Sequence, residues 1–121
     1  MTRYVDKPWG REEVFAETDS YVGKLLKIAA GHALSLQYHE KKDETMLVLD
    51  GRCELHIGRE PGISPLDVRV MEPGDTCHVR PGVRHRLVAL EDVRIVEVST
   101  PELQDVVRLE DDYGRAGTSD P

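Results

Sequence analysis

GHALSLQYHEKKDETMLVLDG, residues 31–51, sets two extended segments around a charged loop and places three potential metal donors within eight residues. Residues two apart on a strand point to the same face, roughly 6.6 Å apart along the chain. On a strand from Ala33 to His39, Gln37 and His39 therefore present an amide oxygen and an imidazole to one side. Glu44 follows the loop EKKD and opens the next strand, Thr45 to Leu49, so a hairpin is expected to fold it back beside them. Asp50-Gly51 separates that strand from Arg52 to Ile57, on which Cys53, Leu55 and Ile57 share a face. The dipeptide is expected to form a tight hairpin turn with positive φ. A second stretch, GDTCHVRPGVRHRL at 74–87, brings His85 onto a later strand behind a Pro81-Gly82 turn. Donors of these types from three strands could converge in a barrel mouth and suit zinc, manganese, iron or nickel.

Working outward, period-two alternation marks further strands at Glu12 to Glu17, Tyr21 to Ala29, Leu66 to Met71, Thr76 to Arg80, Arg84 to Leu90 and Val93 to Val98. Pro73-Gly74-Asp75, Pro81-Gly82 and Glu91-Asp92 separate the later ones. Helical periodicity is sustained nowhere, and Pro101 to Asp112 is the one stretch expected to form a short helix. Eight or more short strands at this turn spacing imply an all-β double-sheet jelly roll or barrel. At 121 residues the chain is one domain, expected over 1–115, with the polar tail after Tyr113 (GRAGTSDP) fraying over 116–121.

The two cysteines, Cys53 and Cys77, have no CxxC spacing and read as small core residues rather than ligands or a disulfide. A net charge of −7 disfavours nucleic acid and anionic membranes as partners. The opening MTRYVDKPWG lacks the apolar centre of a signal peptide, and no run approaches a membrane span, so a cytoplasmic location is expected. An anionic substrate would need local Arg or Lys in a pocket, set against the overall field.

The two stretches resemble the two cupin motifs. In the first motif a glycine is separated by five residues from a pair of metal ligands, followed by a glutamate and a closing glycine; Gly31, Gln37, His39, Glu44 and Gly51 occupy those positions, with glutamine where most cupins carry histidine. In the second, Gly74, Gly82 and His85 are in place, while Arg80 stands where proline is usual and Ala89 where asparagine is common. Within the cupins the chain resembles the isomerase domain of type II phosphomannose isomerases. Lys7-Pro8-Trp9-Gly10 is similar to their PWG start, Ser35-Leu36-Gln37 with His39 to their SLQxH run, and RLEDDYGR (108–115) to their ending. The chain departs from them after His39, where Glu40, Lys41, Lys42 and Asp43 replace a histidine-rich stretch, and at Thr45, where another histidine is common.

The resemblance implies a single-domain cupin barrel, a double-stranded β-helix, that holds one divalent ion on Gln37, His39, Glu44 and His85, zinc first and manganese, iron or nickel next. It implies a metal-dependent aldose–ketose isomerase of the mannose 6-phosphate to fructose 6-phosphate type. The nucleotidyltransferase domain that often precedes such a domain is not in these residues, so guanylyl transfer is not expected. Lys41 has the alternation to share the face of His39; Arg86 and Arg115 lie in matching stretches, and their planar forks suit phosphate or sugar hydroxyls. His56 and His78 read as ordinary strand residues, and Trp9 either stacks on a sugar or anchors the core. Two alternatives are a metal- and sugar-binding cupin without turnover and a non-haem iron oxygenase, whose ligand set also pairs two histidines with a carboxylate. Exposed strand edges favour a homodimer, with Glu12 to Ala29 as the expected pairing segment.

Overall fold

A strand with one apolar face must bury that face against a second layer. The computed structural model, which describes residues 2–102 and 104–117, meets this need with two antiparallel sheets that enclose one core. The strands among the described residues are β1 (Arg3–Lys7), β2 (Gly10–Glu17), β3 (Val22–Ile28), β4 (Leu36–Tyr38), β5 (Glu44–Asp50), β6 (Cys53–Gly58), β7 (Leu66–Met71), β8 (Thr76–Val79), β9 (His85–Ala89), β10 (Val93–Ser99) and β11 (Val107–Glu110). One sheet runs β1-β2-β3-β10-β5-β8 and the other β11-β4-β9-β6-β7. This is the all-β jelly roll expected from the turn spacing.

The winding differs from a chain of hairpins. After β3, every connection except β6–β7 carries the chain from one sheet to the other. Asp50-Gly51 is thus a corner between sheets and not the expected hairpin turn: β5 pairs with β10 and β8, while β6 pairs with β7 and β9. Gly51 does adopt the expected positive φ, at 79°, and Asp50 does not. The connection from Gln37 and His39 to Glu44 is likewise a crossing loop, not a hairpin.

Two strands escaped the sequence reading. β1 pairs with β2 across the Lys7–Gly10 turn. β11 lies inside the stretch expected to be helical and instead pairs with β4, Val107 opposite Tyr38 and Arg108 opposite Gln37. The stretch alternates at period two, but one of its buried residues is an arginine, Arg108, beside buried Val106. Leu103 of that stretch lies outside the described residues, as do 118–121 of the expected tail. Gly117 is tied back by its N–H to the Arg108 carbonyl at 3.0 Å. The segment expected to pair in a dimer has no open edge, because β2 lies between β1 and β3, and β3 between β2 and β10. The edge strands are β1 and β8 of one sheet and β11 and β7 of the other. No helix among the described residues is long and apolar enough to cross a membrane.

The core is graded along the strands, and the gradient positions the site. Reading inward-facing residues from one end of the barrel, β3 runs Ile28, Leu26, Lys24; β5 runs Val48, Met46, Glu44; β10 runs Val93, Ile95, Glu97; β9 runs Ala89, Leu87, His85. All of these residues are buried, including the charged ones. One end is therefore a close-packed apolar plug that includes both free cysteines, and the other is a buried polar mouth.

Gly51 tests the corner. A Cβ there would collide with the Asp92 carbonyl oxygen and lie 2.8 Å from Val93 Cα, in a left-handed conformation that L side chains resist. Gly51→Ala is expected to lower stability by about 2 kcal/mol or more, read as the shift of a urea unfolding curve. A shift below about 0.5 kcal/mol would show that the corner relaxes freely.

Candidate metal centre

The barrel winding gathers its donors from distant strands. His39 follows β4 directly, Glu44 opens β5 and His85 opens β9, and all three are buried. The donor atoms lie within 4.8 Å of one another and could hold a metal ion. Glu44 Oε1 is 3.2 Å from His39 Nε2 and 3.1 Å from His85 Nε2.

The far side of each imidazole is fixed by a carbonyl. His39 Nδ1 lies 2.6 Å from the Asp105 carbonyl oxygen, and His85 Nδ1 lies 3.0 Å from that of Val83. A carbonyl only accepts, so each Nδ1 carries a hydrogen, and a ring in its neutral form turns its Nε2 lone pair inward. Two imidazole lone pairs then face one carboxylate oxygen at hydrogen-bond distance. Three acceptors so placed need a proton or a cation between them. The other carboxylate oxygen, Glu44 Oε2, is buried and makes no hydrogen bond; the Lys42 ammonium stands 3.4 Å away. The donor set, its orientation by carbonyls and its burial all fit a divalent cation of the zinc, manganese, iron or nickel type.

Gln37 stands opposite His85 in the β4–β9 register, so the two side chains share a face. Its Oε1 accepts from the Ser35 hydroxyl at 2.6 Å, which aims the oxygen and leaves its second lone pair. Gln37 and His39 line a mouth cavity of about 500 Å3, part of it open to solvent, together with Lys7, Trp9, Lys24, Lys42 and Glu97.

Lys42 and Glu97 complete the buried electrostatics. The Lys42 ammonium sits 3.3 Å from Glu97 Oε2. Burial alone would lower its pKa, but Glu97 and Glu44 outweigh burial and hold it above the ordinary lysine value. Burial alone would raise the Glu44 carboxyl, but the Lys42 charge, and after it any proton carried on the His39 or His85 Nε2, outweighs burial and holds it well below the usual range. Burial, reinforced by the Glu44 charge, pushes the Glu97 carboxyl up to about 7.

Of the expected site residues, the structure brings Gln37, His39, Glu44 and His85 together and sets Arg115 on the cavity wall. Lys41 is exposed, because 39–43 is a loop and not the strand its alternation assumed. Its neighbour Lys42 takes the buried position instead. Arg86 follows His85 on β9 and faces the other side of the sheet, donating to the Leu34 carbonyl and to Asp112, so it ties the chain end down from outside the cavity. His56 pairs with Glu54 and His78 with Asp43, away from the donors. Trp9 is 3% exposed and belongs to the core while one side of it lines the cavity. Lys24 and Glu97 were legible in principle: each is a charged residue at an inward-facing position of an otherwise apolar strand.

Two side chains hold the loop that carries Lys42: the Thr100 hydroxyl accepts the Asp43 N–H at 3.0 Å, and Asp105 takes the three before it. Asp105 accepts backbone hydrogen bonds from Glu40 (3.0 Å), Lys41 (2.6 Å) and Lys42 (2.8 Å). With its carbonyl on His39, the same residue orients both a donor and the loop that follows it.

The cupin domain family model matches residues 24–99, more than half of the chain, and that span includes Gln37, His39, Glu44 and His85. This chain is a cupin. It is 28% identical over 120 residues to the mannose-1-phosphate guanylyltransferase ManC of Salmonella typhimurium, covering 95% of this chain and 24% of that protein. It is 30% identical over 118 residues to the xanthan biosynthesis protein XanB of Xanthomonas campestris, covering 93% of this chain and 24% of that one. The cupin thus spans about a quarter of the length of the curated relatives it matches. Among solved structures, KdgF from a Halomonas species superposes with a TM-score of 0.70 at 23% identity, over 83% of this chain and 88% of that one. Bacillus subtilis oxalate decarboxylase superposes with a TM-score of 0.77 at 17% identity, over 89% and 30%. These structural likenesses show the fold.

Two substitutions test the centre. His85→Ala should lose stoichiometric metal, read by elemental analysis, while the circular dichroism of the barrel survives; full metal content in that variant would mean the centre lies elsewhere. Asp105→Ala should weaken metal affinity by about 10- to 100-fold through the released loop and His39, read by competition with a chromophoric chelator. Burial would raise the Asp105 carboxyl, but the three N–H donors outweigh it and hold it below its ordinary value. Its contribution to stability is therefore complete above the unfolded carboxyl value near 4 and is lost as pH falls through the lowered one. The melting-temperature gap between parent and Asp105→Ala should narrow over that acid window.

Proposed function

We propose that this cupin is a metal-dependent aldose–ketose isomerase acting on a sugar phosphate of the mannose 6-phosphate type. The observation that carries the reading is the set of three inward acceptors, His39 Nε2, His85 Nε2 and Glu44 Oε1, beside a small polar cavity lined by proton-carrying groups. Gln37 is the fourth donor in this proposal, and zinc is the first candidate ion. Relatives named for mannose 1-phosphate and for xanthan synthesis support a substrate among mannose phosphates.

A divalent ion held there would supply Lewis-acid polarisation of the substrate's carbonyl and adjacent hydroxyl oxygens. The chain itself must bind the sugar, keep water out and move one proton between C1 and C2. In this reading Glu97 makes that transfer: it lines the cavity, and its Oε2 shares the Lys42 ammonium with Glu44. Lys42 stays charged between two carboxylates and positions both. Lys41 and Arg86, candidates on sequence grounds, have no part in the proposal, since one lies on the outer loop and the other behind the sheet.

The test is metal-loaded protein with mannose 6-phosphate in deuterated water, followed by proton NMR beside a chelated control. Fructose 6-phosphate should appear only with metal, with deuterium entering a carbon-bound position. No interconversion with metal verifiably bound would overturn the isomerase and favour a sugar-binding cupin without turnover, a reading that the non-histidine loop Glu40 to Asp43 supports. Oxygen consumption by the iron(II)-loaded protein would favour the oxygenase instead.

A further inference from the structure

The two sheets differ on their outer faces. Alternation should put polar residues outside, where an antiparallel sheet meets water. The five-stranded sheet obeys: Glu54 faces Val70 and Val88 there, and His56 faces Arg86 and Val68. The six-stranded sheet does not. Leu25, Val96 and Leu47 lie directly opposite one another across β3, β10 and β5, on the side away from the core, and are only half-buried. Along β5 the chain reads Met46-Leu47-Val48-Leu49, the unbroken apolar run of a strand covered on both sides. Val98 on β10 and Leu49 on β5 extend the patch, and Tyr4 and Phe15 carry it over β1 and β2. These four side chains are between 44% and 58% exposed.

The face is also flat and electrically balanced. Gly23 stands opposite Val98, and a Cβ there would lie 2.7 Å from the Phe15 ring. A glycine weakens a strand, but here it lets the ring lie down across β3 instead of standing off it. The charges on this side form a border row, in which Asp6, Arg11, Lys27, Arg94 and Asp50 are successive cross-strand partners. Three cations side by side would repel, and each is met locally. Glu13 receives Arg11 at 3.0 Å and Lys27 at 2.9 Å, and Asp50 receives Arg94 at 2.7 Å. Arg11, Lys27 and Arg94 against Asp6, Glu13 and Asp50 cancel, so the net charge of −7 resides on other surfaces.

We propose that this face, centred on Leu25, Leu47, Val96 and Val98, is the interface between two copies of the chain, packed sheet on sheet about a twofold axis. Two arguments select a second copy as the occupant. The first is size. Strands about 4.8 Å apart, with about 3.3 Å per residue, give the face from β1 to β5 an area of roughly 550 Å2 before side-chain relief. Two such faces bury roughly 1,100 Å2, above the threshold of about 1,000 Å2 for a specific interface. The second is charge. A balanced face meets its own copy without the repulsion that the acidic surfaces of two chains impose, and it offers a strongly basic or acidic partner no attraction. Tyr4 and Phe15 are the aromatic anchors such an interface favours. The segment Glu12 to Ala29, expected to pair through an edge, thus pairs through its face. Lys24, Glu97 and Glu44 lie on the inner side of β3, β10 and β5, so the partner backs the wall that carries Glu44. The dimer is independent of the isomerase reading.

The test is sedimentation velocity of the full chain across a concentration series, with circular dichroism to check the fold of each variant. The parent should sediment as a dimer at micromolar concentration. Val98→Lys sets an ammonium in the middle of the patch, at a side chain already 51% exposed, so the barrel itself should tolerate it. It should raise the dimer dissociation constant by about 100-fold or more. Phe15→Ser, the second variant, should raise it by about tenfold or more. Val70→Lys, 48% exposed on the outer face of the other sheet, is the control and should leave the dimer intact. A parent that stays monomeric at about 100 μM would overturn the interface. A dimer whose constant moves by less than about twofold in both Val98→Lys and Phe15→Ser would overturn it too, because another surface would then hold the copies together. Dissociation by Val70→Lys alone would move the contact to the five-stranded sheet and equally remove the proposal.

Discussion

One buried carboxylate organises this molecule. Glu44 lies inside the barrel at 3% exposure, where an uncompensated charge would be prohibitive. Lys42 reaches one of its oxygens and two imidazoles face the other. Each of these partners must in turn be held: Lys42 by Glu97, His39 by the Asp105 carbonyl, His85 by that of Val83. The polar mouth is thus a connected set in which removing one member leaves a buried group without its partner. The apolar plug at the other end, with Leu26, Ile28, Leu55, Leu87 and Ile95 almost fully buried, supplies the stability that such a mouth consumes.

The jelly-roll winding makes that arrangement possible. A hairpin sequence would place neighbouring strands side by side in one sheet and spread the donors along its face. Here the chain changes sheet after β4, after β5 and after β8, so short loops deliver His39, Glu44 and His85 from both walls to one end. The Pro81-Gly82 turn is part of this delivery. Gly82 has a φ of 81° and donates its N–H to the His39 carbonyl at 2.6 Å, which ties the loop before His85 to the residue that bears the other imidazole.

What could be read in advance follows from which physical signals are local. Alternation is local, and it marks nine of the strands to within a few residues and places Cys53 and Leu55 inward. Donor spacing is local too, so Gln37, His39, Glu44 and His85 stand out together. Strand pairing is not local: Asp50-Gly51 has the residues of a hairpin turn, and only the facing partners of β5 and β6 reveal it as a corner. Lys41 and Lys42 are indistinguishable in a charged loop, because which of them turns inward depends on Asp105, more than sixty residues away. Arg108 masked the alternation of β11, since a buried arginine breaks an apolar pattern while obeying the same geometry.

The division of labour along the chain has a physical logic. The match to the cupin domain covers residues 24–99, and every candidate metal donor falls inside it. Lys7, Arg108 and Arg115 of the cavity wall fall outside it, as do Trp9, Glu12 and Val106. The donors require the rigid register of paired strands, because a shift of one residue would turn each of them to the opposite face. The wall residues outside the match lie on segments at its two ends. Those segments are anchored to the barrel at a few points: β1 on β2, β11 on β4, and Asp105 on the loop after His39. The last anchor joins the cavity wall to the candidate donors, since the segment that carries Arg108 and Arg115 is the same one whose Asp105 carbonyl orients His39.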